Sequence, residues 1–186
     1  NELNSAARDL MGNGTATSAL AISGYRPPGS TRSGDTESWN GTNWTEVNET
    51  NTARTFGGAS GSDNTNSLVY AGDIGTSPAS AGTESWDGSS WTEVADLSTA
   101  RYRNSGSPSG TSIAALATGG LNAADSNQSA TEEWSFPSAQ GVQTGQVWVK
   151  TATGADSVLK GYAQQGTGAW SSGGTMGTTR PQASPA

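Results

Sequence analysis

The sequence predicts an all-β chain built from repeated antiparallel units, and three observations predict it. First, residues 36–47 (TESWNGTNWTEV) and residues 83–94 (TESWDGSSWTEV) match at nine of twelve positions. Two Trp flank an Asn-Gly or Asp-Gly pair in each copy, and those pairs accept the positive φ angles of a type I′ hairpin turn. An even-numbered loop keeps both Trp on one strand face. A two-residue loop sets Trp44 diagonal to Trp39, whereas a four-residue loop pairs them directly. Second, Gly24, Gly72 and Gly120 recur at equal spacing, each closing an apolar run. Third, a short motif ending in Arg recurs at Arg8, Arg54 and Arg101, and again at Arg180. A fixed period of this size marks a repeat architecture, and periods of ~40–50 residues fit propeller blades.

Taken in order, unit one spans about 3–47. It opens at Ser5–Arg8, continues through the apolar strand Ala19–Ile22 to Gly24, passes a loop with Pro27 and Pro28, and ends in the Trp39/Trp44 hairpin. Unit two spans 48–94 and repeats those parts: Asn51–Arg54, Ser67–Asp73, a loop with Pro78, and the Trp86/Trp91 hairpin. Unit three, 95–139, has Ser98–Arg101, the strand Ser112–Gly120 and a weaker Thr-Glu-Glu-Trp copy at 131–134. Four short strands per unit are expected: one after the Arg, one ending at the Gly, and two in the hairpin. Ser135, Phe136 and Pro137 then follow, and proline cannot donate to a central ladder. The blade is therefore expected to break there, without a second Trp. Residues 140–175 read as an inserted or capping β-hairpin, in which Val147 and Val149 alternate with Trp148 and Lys150, a Gly-containing turn follows, and Val158–Lys160 returns toward a strand ending at Trp170. Residues 176–186 restart the Arg motif and trail into a loose tail. The chain is thus expected to be a segment of a longer array, and three units fall short of the ~4–8 blades that close a propeller.

Composition narrows function. There is no Cys and no His, so the commonest nucleophile, general base and transition-metal ligands are absent. No catalytic residue, metal site or cofactor is expected. A net charge of −7 with two Lys argues against a nucleic-acid surface. No 18-residue apolar run would insert in a membrane. The apolar fraction is 31%, low enough to raise disorder, but seven Trp and the strict repeat argue for a packed core.

The order of Arg motif, apolar strand ending in Gly, Glu-x-aromatic and then Trp resembles the Kelch repeat of β-propellers. Gly119-Gly120 matches that family's double glycine, Gly24 and Ala71-Gly72 match it in part, and Trp39, Trp86 and Trp134 stand where Tyr or Phe is usual. More narrowly, Ser/Asn-Thr-Ala-Arg followed by Thr-Glu-Glu/Ser-Trp and the Asn-Gly or Asp-Gly hairpin resembles Kelch-like proteins of marine tailed bacteriophages. GQVWVKTATGADSVLKGY resembles a hairpin of phage tail and fibre proteins. Together these imply a non-enzymatic virion component, in a fibre, tail or capsid decoration, serving host attachment or particle assembly. Its implied partners are other virion proteins in a homo- or hetero-oligomer, and host-surface glycans. The alternative is a secreted carbohydrate-binding propeller of a bacterium; a carboxylate-dependent glycan hydrolase is a third reading.

Each candidate residue has a structural and a functional reading. Trp39, Trp44, Trp86 and Trp91 would form a sugar-stacking platform or, as their register favours, inter-unit core. The Arg series would ring an acidic ligand or, with one Glu per unit, bridge in bidentate fashion to Glu37, Glu84 and Glu132. Adjacent Glu132 and Glu133 point to opposite strand faces and cannot converge as a glycosidase pair. Asp87-Gly88 lacks the residue that separates Asp and Gly in the Asp-box of sialidases. Five Asn-x-Ser/Thr sequons, at Asn13, Asn40, Asn43, Asn48 and Asn127, read as turn formers. Trp148 and Trp170 lie outside the hairpin register and form a candidate contact surface.

Overall fold

The structure, a computed structural model, describes residues 1–28 and 31–135 together with strands 147–150, 158–161 and 169–172. Every element among them is a strand, and every pairing is antiparallel. Unit one is the sheet β1-β2-β3-β4, formed by Met11–Thr15, Ser18–Arg26, Thr31–Trp39 and Trp44–Val47. Unit two is β5-β6-β7-β8, formed by Gly58–Ser60, Ser67–Tyr70, Thr83–Trp86 and Trp91–Val94. The inner strands β1 and β5 lie side by side.

Trp39 pairs directly with Trp44, and Trp86 with Trp91, so each hairpin has a four-residue loop. The ring centroids are 5.3 Å apart in both pairs, a distance at which cross-strand aromatics attract. The type I′ turn expected from the sequence is not what forms. Gly41 and Gly88 have positive φ, but Asn40 and Asp87 do not. Instead the Asn40 side chain accepts from the Thr42 and Asn43 amides, and Asp87 from those of Ser89 and Ser90. These side-chain caps supply the turn chemistry. The Ser90 and Ser89 amides also hold the Asp87 carboxyl below its ordinary range.

Unit three corrects the sequence reading most. Its sheet is β9 (Ala114–Thr118), β10 (Thr131–Ser135) and β13 (Ala169–Ser172), in the order β13-β10-β9. Trp134 pairs with Trp170 in the same register that joins the other two Trp pairs. The unit therefore has its second Trp, and Trp170 is in register. The pair is 36 positions apart where the others are five apart, because a segment is inserted in the hairpin. That segment carries a separate two-stranded sheet, β11 (Val147–Lys150) with β12 (Val158–Gly161), and Trp148 lies on β11. Residues 140–175 are thus not a cap that follows the unit, since β13 within them completes its sheet. The inner strand of this unit is reduced to a bridge between Ser105 and Thr118.

Alternate residues of each sheet serve two cores. Met11, Leu20 and Ile22 of unit one meet Ala59, Val69, Trp86 and Trp91 of unit two. On the other face of unit two, Leu68 and Tyr70 meet Ala115, Ala117 and Trp134 of unit three. One indole per unit also anchors its own inner turn: Trp39 Nε1 donates to Ala16, Trp86 Nε1 to Asn64 and Trp134 Nε1 to Ser112, at 2.8–3.0 Å.

The recurrent glycine has a backbone cause. Ser23 (φ 55°), Ala71 (φ 62°) and Gly119 (φ 62°) are left-handed, and Gly24, Gly72 and Gly120 follow them at φ 112°, 99° and 96°. Two successive positive φ values follow the ends of β6 and β9, whereas in unit one they make a bulge inside β2, which runs on past Gly24 to Arg26 rather than ending at the glycine as expected. The Gly72 amide donates to Arg101 across the unit boundary, as that of Gly24 does to Arg54. A Cβ at Gly72 would stand 2.8 Å from the Thr55 carbonyl oxygen. Gly72→Ala should therefore destabilise by about 1–3 kcal/mol, read as a lower urea midpoint at constant m-value. An unchanged midpoint would show that the backbone relaxes there.

Candidate functional site

The repeated Arg and Glu form buried ion pairs inside the units. Arg54 Nη2 donates to Glu84 Oε1 at 2.6 Å, while its Nη1 donates to the carbonyls of Ala71 and Gly82. The Asn51 and Thr52 amides complete the Glu84 carboxylate. Unit three repeats the set: Arg101 Nη2 to Glu132 at 2.6 Å, Nη1 to Gly119 and Ala130, and the Ser98 amide to Glu132. The contact is not the bidentate fork expected, because the second nitrogen holds the left-handed turn before the recurrent glycine. These four side chains are at most 2% exposed, so no ligand reaches them, and Glu132 is committed to Arg101.

Unit one departs, and the alignment of Arg8 with Arg54 and Arg101 is wrong by one position. Arg8 bridges to Tyr25 where Thr55 bridges to Asp73 and Tyr102 to Leu121, so Ala7 is the counterpart of Arg54 and Arg101. Arg8 is exposed and pairs with Asp9 at 2.7 Å. Its place beside Glu37 is taken by Arg26, reaching from β2 to Glu37 and Asp35 at 3.3 Å. Arg180 lies outside the described residues; it follows Trp170 by ten positions, as Arg54 follows Trp44 and Arg101 follows Trp91.

Trp86, Trp91 and Trp134 are 2–6% exposed and cannot stack on a sugar. Trp39 and Trp44 are half-buried. Side-chain surroundings of Trp148 and Trp170 lie outside the described residues.

A different group gathers at the end of the sheets where the Arg motifs and the β2–β3, β6–β7 and β9–β10 connections meet. The Arg8 guanidinium sits 4.5 Å from the Tyr25 ring centroid and that of Arg32 5.3 Å. Tyr25 meets the Phe56 ring edge-on at 6.2 Å. Arg103 covers Phe56 at 4.9 Å and Tyr102 at 5.6 Å. Cations over aromatic faces at these distances attract. Arg32 also pairs with Asp73 at 2.6 Å, and the Tyr102 hydroxyl donates to Asp125. The Asp125 carboxylate, by taking that hydrogen bond, raises the Tyr102 pKa. The result is a band of arginines and aromatic rings across all three units, with Asp9, Asp73 and Asp125 set among the arginines. It is underpinned by Asp9, Phe56 and Arg103, each left-handed, whose backbones are hydrogen-bonded from unit to unit. A groove of about 250 Å³ beside it is lined by Ala6, Arg8, Tyr25, Arg26 and Pro27. That is below the ~300–1,000 Å³ of enclosed ligand pockets, so the geometry suits surface contact. Sequence reasoning missed Tyr25, Arg26, Arg32, Phe56, Tyr102 and Arg103. Among the described residues no three acidic side chains gather as a metal site.

No protein-family model matches this sequence, and no curated protein does. Among solved structures the chain is similar to that described as "Structure of YjhT", at TM-score 0.59 and 14% identity. The match covers 75% of this chain and 46% of that one, so the chain spans less than half of its length. The likeness shows the fold alone, antiparallel and all-β; the neighbour is β-propeller-like, and no closed propeller forms among the described residues of this chain.

Proposed function

We propose that the chain is a non-enzymatic structural and recognition component of a tailed-bacteriophage particle, placed in a fibre, the tail or a capsid decoration. The observation that carries this reading is the third hairpin. There the segment resembling a phage tail and fibre hairpin sits between paired Trp134 and Trp170, on repeats that themselves resemble those of marine phages. The polar side chains that define the repeat are consistent with a scaffold role, since Arg54, Glu84, Arg101 and Glu132 are spent on internal ion pairs. The band of Arg8, Tyr25, Arg32, Phe56 and Arg103 favours a contact function at the loop end, with host-surface glycans as the partner its aromatic faces and polar groups suit. The same band supports the second reading, a secreted bacterial carbohydrate-binding propeller.

Antibody raised against residues 1–186 and applied to purified phage particles separates the two. Labelling of the tail, fibres or capsid surface is expected. Chain found free in bacterial culture fluid and missing from particles would overturn the virion reading.

A further inference from the structure

The chain holds two Asn-Gly pairs, Asn13-Gly14 and Asn40-Gly41, and one Asp-Gly pair, Asp87-Gly88. An Asn before Gly is open to attack on its own side chain, because glycine has no Cβ to shield its amide nitrogen. The fold sets the two Asn apart. Asn13 is 7% exposed, inside β1 and paired with Leu20. Both ends of its side chain are tied elsewhere: Nδ2 donates to the Asp63 carbonyl at 3.1 Å, and Oδ1 accepts from the Ser67 hydroxyl at 2.7 Å. Asn40 and Gly41 are exposed, at the tip of the β3–β4 hairpin. There Oδ1 accepts from the Thr42 and Asn43 amides, each at 2.9 Å. Among the described residues, Asn40 Nδ2 and the Gly41 amide donate to no acceptor.

Those two amides do more than hold a turn. When the Gly41 nitrogen attacks Asn40 Cγ, negative charge develops on Oδ1, and donors already aimed at that oxygen lower the barrier. Nucleophile and electrophile are neighbours in one chain and close a succinimide ring, so no partner has to be brought in. Unit two shows how the same turn treats a charged oxygen. Asp87 stands where Asn40 does, with φ 95° at Gly88 against 91° at Gly41, and its Oδ1 accepts from the equivalent Ser89 and Ser90 amides at 2.8 Å. The Ser90 and Ser89 amides hold the Asp87 carboxyl below its ordinary range, so they favour a charged oxygen over a neutral one.

We propose that Asn40-Gly41 is a self-modification site: the folded turn assists loss of ammonia from Asn40 and then retains the aspartate that replaces it. Water or hydroxide takes the Gly41 amide proton, and the bond from Gly41 N to Asn40 Cγ forms. The Cγ–Nδ2 bond breaks, and Nδ2 leaves as ammonia, its extra proton returned by water. Another water opens the succinimide. Addition at Cγ restores the backbone with an aspartate side chain, whereas addition at the Asn40 carbonyl carbon routes the chain through Cγ as isoaspartate. Nothing is oxidised or reduced, and water is the co-reactant. Aspartate fits, because Asp87 already builds this turn. Isoaspartate lengthens the loop that sets Trp39 against Trp44, so the fold disfavours it. Asp87 stays inert, since an ionised carboxylate is a poor electrophile. The hairpin tip of unit one thus gains a negative charge with time, beyond the net −7 of the sequence.

The test is incubation of residues 1–186 at mildly alkaline pH, folded and in urea, followed by tandem mass spectrometry of peptides that distinguishes aspartate from isoaspartate. In urea both Asn-Gly pairs are expected to convert alike. In the folded chain Asn40 is expected to convert at least about a hundredfold faster than Asn13, whose reaction waits for β1 to open. Its share of aspartate is expected to exceed that in urea. Asn40→Asp is expected to melt with the parent and to release no ammonia from this hairpin. Asn13 and Asn40 converting together in the folded chain overturns the proposal, as does an Asn40 that converts in urea but is spared by folding. So does an aspartate share unchanged by folding. An Asn40→Asp chain that melts well below the parent overturns it too, since the turn would then reject its own product.

Discussion

Glu84→Ala is expected to destabilise the protein by about 3–5 kcal/mol, the cost of breaking a buried ion pair from one side. The side chains of Arg54 and Glu84 are each 1% exposed. Removing the carboxylate leaves the guanidinium charged in a site that water does not reach, since Arg does not deprotonate. It also strips the acceptor from the Asn51 and Thr52 amides, and unsatisfied buried donors add to the cost. Because those amides belong to the segment joining units one and two, the damage extends across the boundary. Arg8→Ala is the contrast: its pair with Asp9 is exposed, and such pairs contribute ~0–1 kcal/mol. Urea unfolding of both variants beside the parent measures the difference. A Glu84→Ala loss below ~1 kcal/mol would show that the pair is dispensable once neighbouring carbonyls hold Arg54.

What the sequence discloses and what it hides follow from where the physics repeats. The Trp hairpins and the glycines at 24, 72 and 120 are legible because every unit needs the same cross-strand aromatic pair and the same left-handed turn. Side-chain identity survives there because no other residue does the job at equal cost. Trp170 was obscured by the long insertion before it: backbone pairing restores a register that linear spacing had lost. Arg26 was obscured because Glu37 needs a cation, not a cation from a particular strand, and β2 delivers one as well as the Arg motif does. The alignment of Arg8 with Arg54 fails for the same reason, a one-residue offset that reads as an ordinary irregularity until the bridges Arg8–Tyr25 and Thr55–Asp73 are paired. The aromatic band left no periodic trace at all. Equivalent positions hold Asp9, Phe56 and Arg103 in successive units, sharing a backbone conformation but no side-chain chemistry. Positions that differ unit by unit while the backbone stays constant are free to vary for contact, which supports the contact role proposed for the band.

Trp86→Ala should cost about 3–5 kcal/mol, the range for deleting a buried Trp or Phe from a core. Trp86 is 2% exposed and fills the space between Met11, Leu20 and Ile22 of unit one and its own partner Trp91. Its indole N–H donates to Asn64 in the β5–β6 turn, so truncation opens a cavity, removes an aromatic pair and frees a turn together. Trp44 is the unit-one counterpart of its partner Trp91, yet it is half-buried, so Trp44→Ala should cost about 1–2 kcal/mol. Thermal melts of both variants beside the parent measure the difference. A Trp86→Ala chain that melts with the parent would mean that the repeated Trp is not core.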